Sequence, residues 1–179
     1  MVGGGVRSGK SAFALRRAMG LGARRVFVAT AQPFDDEMRD RIARHQAERA
    51  AEFATIEEPL AVPERLAALT DVDVVLIDCL TLWLSNLLLR GDDEPVIAAA
   101  VARLAEVLAT RRFHVVLVTN EVGMGIVPES ALGRLFRDVA GRAHQELAAC
   151  ADEVYFAALG LVLKLKPSEL VAAPGGEVP

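Results

Sequence analysis

Gly4-Gly5-Val6-Arg7-Ser8-Gly9-Lys10-Ser11 is a complete G-x-x-x-x-G-K-[ST] phosphate loop. Gly4, Gly5 and Gly9 carry no Cβ, so the backbone can take the conformations that turn amide groups inward around an anion. Directly after it, Ser11-Ala12-Phe13-Ala14-Leu15-Arg16-Arg17-Ala18-Met19 has a helical pattern, and the helix N-terminus adds its dipole to the anion site. In such a loop the Lys10 ammonium reaches the β- and γ-phosphates and the Ser11 hydroxyl holds Mg²⁺. The full match at the head of a helix outweighs the reading of a glycine-rich turn without chemistry. A nucleoside triphosphate is the expected ligand.

Strand and helix signals alternate downstream. Arg25 to Thr30 is short, β-branched and bounded by turn-formers, the signature of a buried strand. Asp35-Asp36-Glu37 opens a helix to about Arg49, with acids in the first turn where the dipole favours them. Thr55 to Glu57 is a short strand, and Pro63 starts a helix over Glu64 to Leu69. Val72 to Asp78 is a second buried strand, followed by a very apolar helix from Leu80 to Leu89. Gly91 to Pro95 is a surface turn before a long helix, Val96 to Arg112. His114 to Thr119 is the third strong strand and Leu132 to Ala149 a further helix. Glu153–Ala158 and Leu161–Lys166 form a hairpin around Gly160.

Continuous apolar strands between helices imply a mostly parallel sheet covered on both faces, an α/β fold of the RecA-like phosphate-loop NTPase type with an antiparallel edge hairpin. Residues 1–166 are expected to form one nucleotide-binding domain and 167–179, rich in proline, glycine and alanine, a disordered tail. One element is missing: only Met1 and Val2 precede the glycines, where a buried strand should stand. Either the start lies inside the natural gene product or the strand is truncated, and the first reading is preferred, because a chain without that strand should fold poorly.

Composition narrows the class. At 179 residues, with 53% of them apolar, the chain can bury one proper core. A net charge of −4 argues against a nucleic-acid partner, which calls for a basic face. No apolar run approaches a membrane span, and no signal peptide precedes the loop. The two cysteines, Cys79 and Cys150, are expected as buried apolar residues rather than a bridge. A cytoplasmic enzyme fits these facts.

Two further residues carry chemistry. Val74-Val75-Leu76-Ile77-Asp78 has the shape of a Walker B strand, whose terminal carboxylate supports Mg²⁺ beside the phosphate loop. Arg41, His45 and Arg49 share one face of the second helix. Flanking guanidiniums would keep the imidazole neutral and nucleophilic and could bind a phosphate; a solvated helix face that happens to carry one histidine explains the same spacing. His114 and His144 look structural. The Asn120 to Glu129 segment, with two glycines after a strand, suits a substrate loop as well as an ordinary connection. No N-K-x-D element for guanine recognition is present.

Taken together, these residues resemble the adenosylcobinamide kinase/adenosylcobinamide-phosphate guanylyltransferase family of cobalamin biosynthesis. The similarity runs nearly to Lys166. Its segments are Gly4 to Ser11, Val28 to Gln32, Asp36 to Met38, Arg41 to Gln46, Asp78 to Thr81, Ser85 to Leu88 and Val118 to Glu129, the last continuing into Phe136-Arg137-Asp138 and Ala140-Gly141-Arg142. The resemblance implies a bifunctional enzyme that phosphorylates adenosylcobinamide with ATP or GTP and then transfers GMP from GTP to the adenosylcobinamide phosphate. It assigns His45 as the covalent GMP carrier, a second catalytic residue beside Lys10, whose part is read from the phosphate loop itself. It places GTP on the loop with Thr30, Ala31, Gln46, Ala47, Glu48, Arg49, Glu57 and Asp78, with Mg²⁺ at Ser11 and Asp78. It also implies a homo-oligomer, a trimer with sites at subunit boundaries, for which the apolar 80–89 stretch could serve as interface. The chain departs from the family in its absent first strand, in Asp78 where relatives often carry Glu, and in Arg44 where some carry a second histidine. A single-activity kinase and a nucleotide-binding regulatory module remain the rival readings.

Overall fold

The computed structural model describes residues 1–32 and 52–167. Their seven strands form one sheet in the order β3-β2-β4-β5-β1-β6-β7. The strands are β1 (Val2–Gly4), β2 (Arg25–Ala29), β3 (Ala54–Glu57), β4 (Val74–Asp78), β5 (His114–Asn120), β6 (Val154–Ala158) and β7 (Leu161–Lys166). All neighbouring pairs run parallel except β6 with β7, the antiparallel edge that the sequence predicts. The helices are α1 (Lys10–Met19), α2 (Val62–Ala67), α3 (Leu80–Arg90), α4 (Glu94–Ala109) and α5 (Ala131–Cys150).

The first strand is present, which corrects the sequence reading. Three residues suffice because β1 is paired on both sides: Val2 stands opposite Val118 on β5 and Tyr155 on β6, and its side chain is buried. A strand supplied with ladder partners from two longer neighbours needs little length of its own.

Both faces of the sheet are covered. On one side Ala14 and Ala18 of α1 pack with Phe27, Val74, Leu76, Val116 and Val118. On the other, α2 to α5 bury Leu66, Trp83, Leu84, Leu87, Ile97, Val101, Leu104, Val139 and Leu147 against Val26, Val75, Ile77 and Leu117. Alternate residues of β4 thus serve opposite cores, which is why this strand reads as an unbroken apolar run. The apolarity of α3 is spent inside the chain: Leu80, Trp83, Leu84 and Leu87 are buried, and only Leu89 among its large apolar residues is exposed. Trp83 Nε1 donates to Leu60 O at 2.7 Å, so the indole is satisfied as well as packed.

Two boundaries differ from expectation. Glu94 and Pro95 belong to the first turn of α4 rather than to the preceding loop, because Asp93 caps that helix by accepting from Val96 N at 3.0 Å. The helix then stops at Ala109, and Arg111 takes a φ of 51° beyond it. Cys150 is exposed, not buried, at the end of α5, and neither cysteine is bridged. The expected helix from Asp35 to Arg49 and the tail from 168 lie outside the described residues.

Candidate functional site

The phosphate loop leaves β1 at Gly4 and enters α1 at Lys10. Gly9, the N-cap, has φ 92°, and no side chain caps the helix. First-turn amides without a side-chain cap are a ready anion site. Arg7 also takes a left-handed φ of 54°, a turn the glycine pattern alone does not reveal. Lys10 is buried, and its ammonium donates to Gly5 O at 3.1 Å, folding the side chain back over the loop. Ser8 is 5% exposed, and its Oγ has no hydrogen-bond partner among the described residues. A buried hydroxyl without a partner costs about 1–3 kcal/mol, so this atom awaits a ligand acceptor or donor within the cradle.

Asp78 ends β4, half-buried, one strand beyond β5 from the loop. By alternation it shares the α1 face with Val74 and Leu76. The adjacent Cys79 thiol is pushed up to about 11, by burial first and then by the Asp78 charge. It therefore stays neutral and serves packing. Thr30 is fully buried at the end of β2; its Oγ1 donates to Cys79 O and accepts from Cys79 N, both at 2.8 Å. Asn86 Nδ2 donates to Thr30 O at 2.8 Å and to Pro59 O at 3.0 Å. Ala31 follows, half-buried. Thr30 thus ties together the ends of β2 and β4 around Asp78.

Beyond β5, Glu121 N donates to Gly4 O at 3.0 Å, which locks the next loop to the phosphate loop. The Glu121 carboxylate accepts from Gly123 N at 2.6 Å and Met124 N at 3.0 Å, and Arg137 donates to Gly123 O at 2.6 Å. On the opposite face of β5, Thr119 Oγ1 and His144 Nε2 lie 2.7 Å apart, and burial lowers the imidazole pKa despite the Glu121 charge. His144 is a packing partner, as its place in a mixed helix suggests.

Sequence reasoning overlooked two positions. Thr81, in the first turn of α3, accepts from Asn120 Nδ2 at 2.9 Å and lies 3.2 Å from Cys79 Sγ. Gly160, at the tip of the β6–β7 hairpin, donates its amide to Ser8 O at 3.2 Å. Nothing local in the sequence joins a hairpin glycine to a loop at the other end of the chain.

The described candidates form a row along the carboxyl edge of the sheet. Strand order gives Glu57 on β3, Thr30 after β2, Asp78 on β4, Asn120 on β5 and the phosphate loop after β1. Four strand spacings make this row roughly 19 Å long. Ligands of open α/β sheets bind at this edge. Glu57 is exposed at the far end. Among the described residues no group of three or more His, Cys, Asp or Glu side chains could hold a metal by itself. His45, Gln46, Ala47, Glu48 and Arg49 lie outside the described residues, as does Arg41.

Residues 1–165 match the family model described as cobinamide kinase / cobinamide phosphate guanyltransferase, CobU. The chain belongs to this family. Within the CobU family it is 43% identical over 168 residues to the bifunctional adenosylcobalamin biosynthesis protein CobP of Pseudomonas aeruginosa, a match covering 93% of this chain and 96% of the relative. To the bifunctional adenosylcobalamin biosynthesis protein CobU of Escherichia coli it is 41% identical over 179 residues, covering 93% and 98%. To the protein of that name in Salmonella typhimurium it is 42% identical with the same coverage. The family the sequence resembles is thus the family the comparisons return. No helix among the described residues is long and apolar enough to cross a membrane.

Proposed function

We propose that this chain carries both activities of its family: phosphorylation of the aminopropanol hydroxyl of adenosylcobinamide, then transfer of GMP from GTP to the resulting phosphate. The observation that carries the reading is an intact phosphate loop, with buried Lys10 and a Ser8 Oγ that has no hydrogen-bond partner among the described residues, in a chain matching the family model across residues 1–165. The roughly 19 Å edge from the loop to Glu57 has room for an extended nucleotide.

In the first step the substrate hydroxyl oxygen bonds to the γ-phosphorus and releases its proton to solvent, the bond to the β,γ-bridging oxygen breaks, and nucleoside diphosphate leaves. The loop amides and Lys10 hold the phosphates in line and offset the charge that builds on them. In the second, a His45 ring nitrogen displaces pyrophosphate from the α-phosphorus of GTP. The corrinoid phosphate oxygen then displaces histidine to give adenosylcobinamide-GDP, dividing one difficult coupling into two displacements. Gln46 to Arg49, Glu57, Thr30 and Ala31 are assigned to the nucleotide.

Mg²⁺ fits the oxygen donors present. Ser11 lies in the first turn of α1 and Asp78 ends β4, both half-buried, and Mg²⁺ is ordinarily held by one or two such groups plus phosphate oxygens and water. Bound there, it would supply charge neutralisation of the phosphates. We read the active form as a homo-oligomer, a trimer, and the location as the cytoplasm. Exposed Met124, Ile126, Val127 and Leu132 support a subunit contact.

Incubation with GTP labelled at the α-phosphate, followed by denaturing electrophoresis, tests the reading. Label on the protein that survives alkali, is lost in acid and is absent from His45→Ala is expected. An unlabelled protein that still phosphorylates adenosylcobinamide would reduce the chain to a plain kinase. Nucleotide binding without corrinoid-dependent turnover would make it a regulatory module.

A further inference from the structure

The sheet order brings one more side chain to the place where a terminal phosphate belongs. Strand β5 separates β1 from β4, so its end forms the floor between the phosphate loop and Asp78. Val118 stands opposite Asp78, whereas Asn120 stands opposite Gly4. Thus β5 runs past Asp78 and finishes level with the entry to the loop. Alternation puts Asn120 on the face of Val116 and Val118, which is the α1 face and the face of Asp78. The Lys10 ammonium, whose task in such loops is the β- and γ-phosphates, is docked at Gly5 O, next to the partner of Asn120.

The Asn120 amide is held but not spent. Nδ2 donates to Thr81 Oγ1 at 2.9 Å and lies 3.7 Å from Cys79 Sγ; these two acceptors are only 3.2 Å apart, so they occupy one side of the nitrogen and its second hydrogen diverges from both. A thiol sulfur is a weak acceptor, so Cys79 adds little to the hold that Thr81 has on the amide. Thr81 is itself fixed by the first turn of α3 and by contact with Cys79 at 3.2 Å.

We propose that Asn120 is a γ-phosphate donor: the second Nδ2 hydrogen, which diverges from the Thr81 and Cys79 side, donates to a terminal oxygen of the bound triphosphate, while the Thr81 hydrogen bond fixes the amide plane and makes Thr81 a positioning residue. The inference rests on the nucleotide reading above and adds to it the group that tells a triphosphate from a diphosphate. Neither residue belongs to the phosphate-loop motif, and the strand register alone brings Asn120 to the loop.

Equilibrium titration of the full chain with GTP and with GDP, each with Mg²⁺, tests it. Asn120→Leu keeps the size and removes the donor. It should weaken GTP binding roughly tenfold or more, the loss expected for a hydrogen bond to a charged group, and leave GDP within about twofold. Thr81→Val leaves Asn120 in place and should erode the same GTP preference, and Thr81→Ser should restore it, which a merely structural role would not produce. Equal weakening of GTP and GDP, or an unchanged preference in both Asn120→Leu and Thr81→Val, would overturn the proposal and leave the phosphate-loop reading intact. An unsubstituted chain that binds neither nucleotide would sink that reading and the inference with it.

Discussion

Gly4 and Ser8 close on each other across the phosphate loop. A Cβ built on Gly4 would stand 2.8 Å from Ser8 Oγ and 2.3 Å from Ala157 O on the neighbouring strand. The second contact is to backbone, which cannot swing aside. Gly4→Ala must therefore part β1 from β6 or reshape the loop. We expect a loss of about 1–3 kcal/mol in stability together with nucleotide binding, read by thermal unfolding and GTP titration. Unchanged values in both would mean that the loop is more pliant than its contacts indicate.

Thr30 is assigned to the nucleotide by family resemblance, but its hydroxyl is committed to Cys79 in this structure. Thr30→Val would strand the buried Cys79 N–H, while Cys79 O keeps the amide of Trp83 at 3.2 Å, at a cost of about 1–3 kcal/mol. Thr30→Ser should keep most of the stability. Urea unfolding of the pair decides it; equal stabilities of Val and Ser variants would show that the hydroxyl bridge contributes little.

Glu153 joins α1 to β7, receiving Arg17 Nη2 at 2.5 Å and Lys164 Nζ at 2.9 Å. Hydrogen bonding from Arg17 first, then from Lys164, lowers its carboxyl from 4.5 to about 2. The folded value lies below the unfolded one, so the unfolded state binds more protons in between. The contribution is present above pH 4.5 and disappears as pH falls toward 2. Glu153→Gln should flatten the pH dependence of stability across this window, as seen in unfolding midpoints taken at half-unit steps. A slope equal to that of the unsubstituted chain would place the acid sensitivity elsewhere.

The two cysteines should behave as different species. Thiolate is the reactive form, and Cys79 is buried with its pKa pushed up to about 11, whereas Cys150 is exposed. An aromatic disulfide reagent at pH 8 should modify Cys150 promptly and Cys79 only on unfolding. Prompt modification of both in the folded chain would contradict the burial of Cys79.

The sequence carried most of this architecture because its strong signals are local. The apolar run Val74–Ile77 ending in Asp78 and the glycines around Lys10 each announce an element and a role within a few residues. What stayed hidden is long-range. Val2–Gly4 is too short to read as a strand, because its stability comes from β5 and β6 on either side. Thr81 becomes significant only when β5 delivers Asn120 beside it. The apolar 80–89 helix invites reading as an interface, since hydropathy reports that a face is covered but not by what.

The Gly160-to-Ser8 hydrogen bond couples the last hairpin to the first loop of the chain. Any ligand that orders the loop raises the free energy of opening that bond by mass action. The Gly160 amide is then a built-in gauge of nucleotide occupancy, and its hydrogen exchange should slow in proportion to saturation. Strain applied to the hairpin would travel the same way in reverse. Filling the cradle and quieting the hairpin are two faces of a single equilibrium.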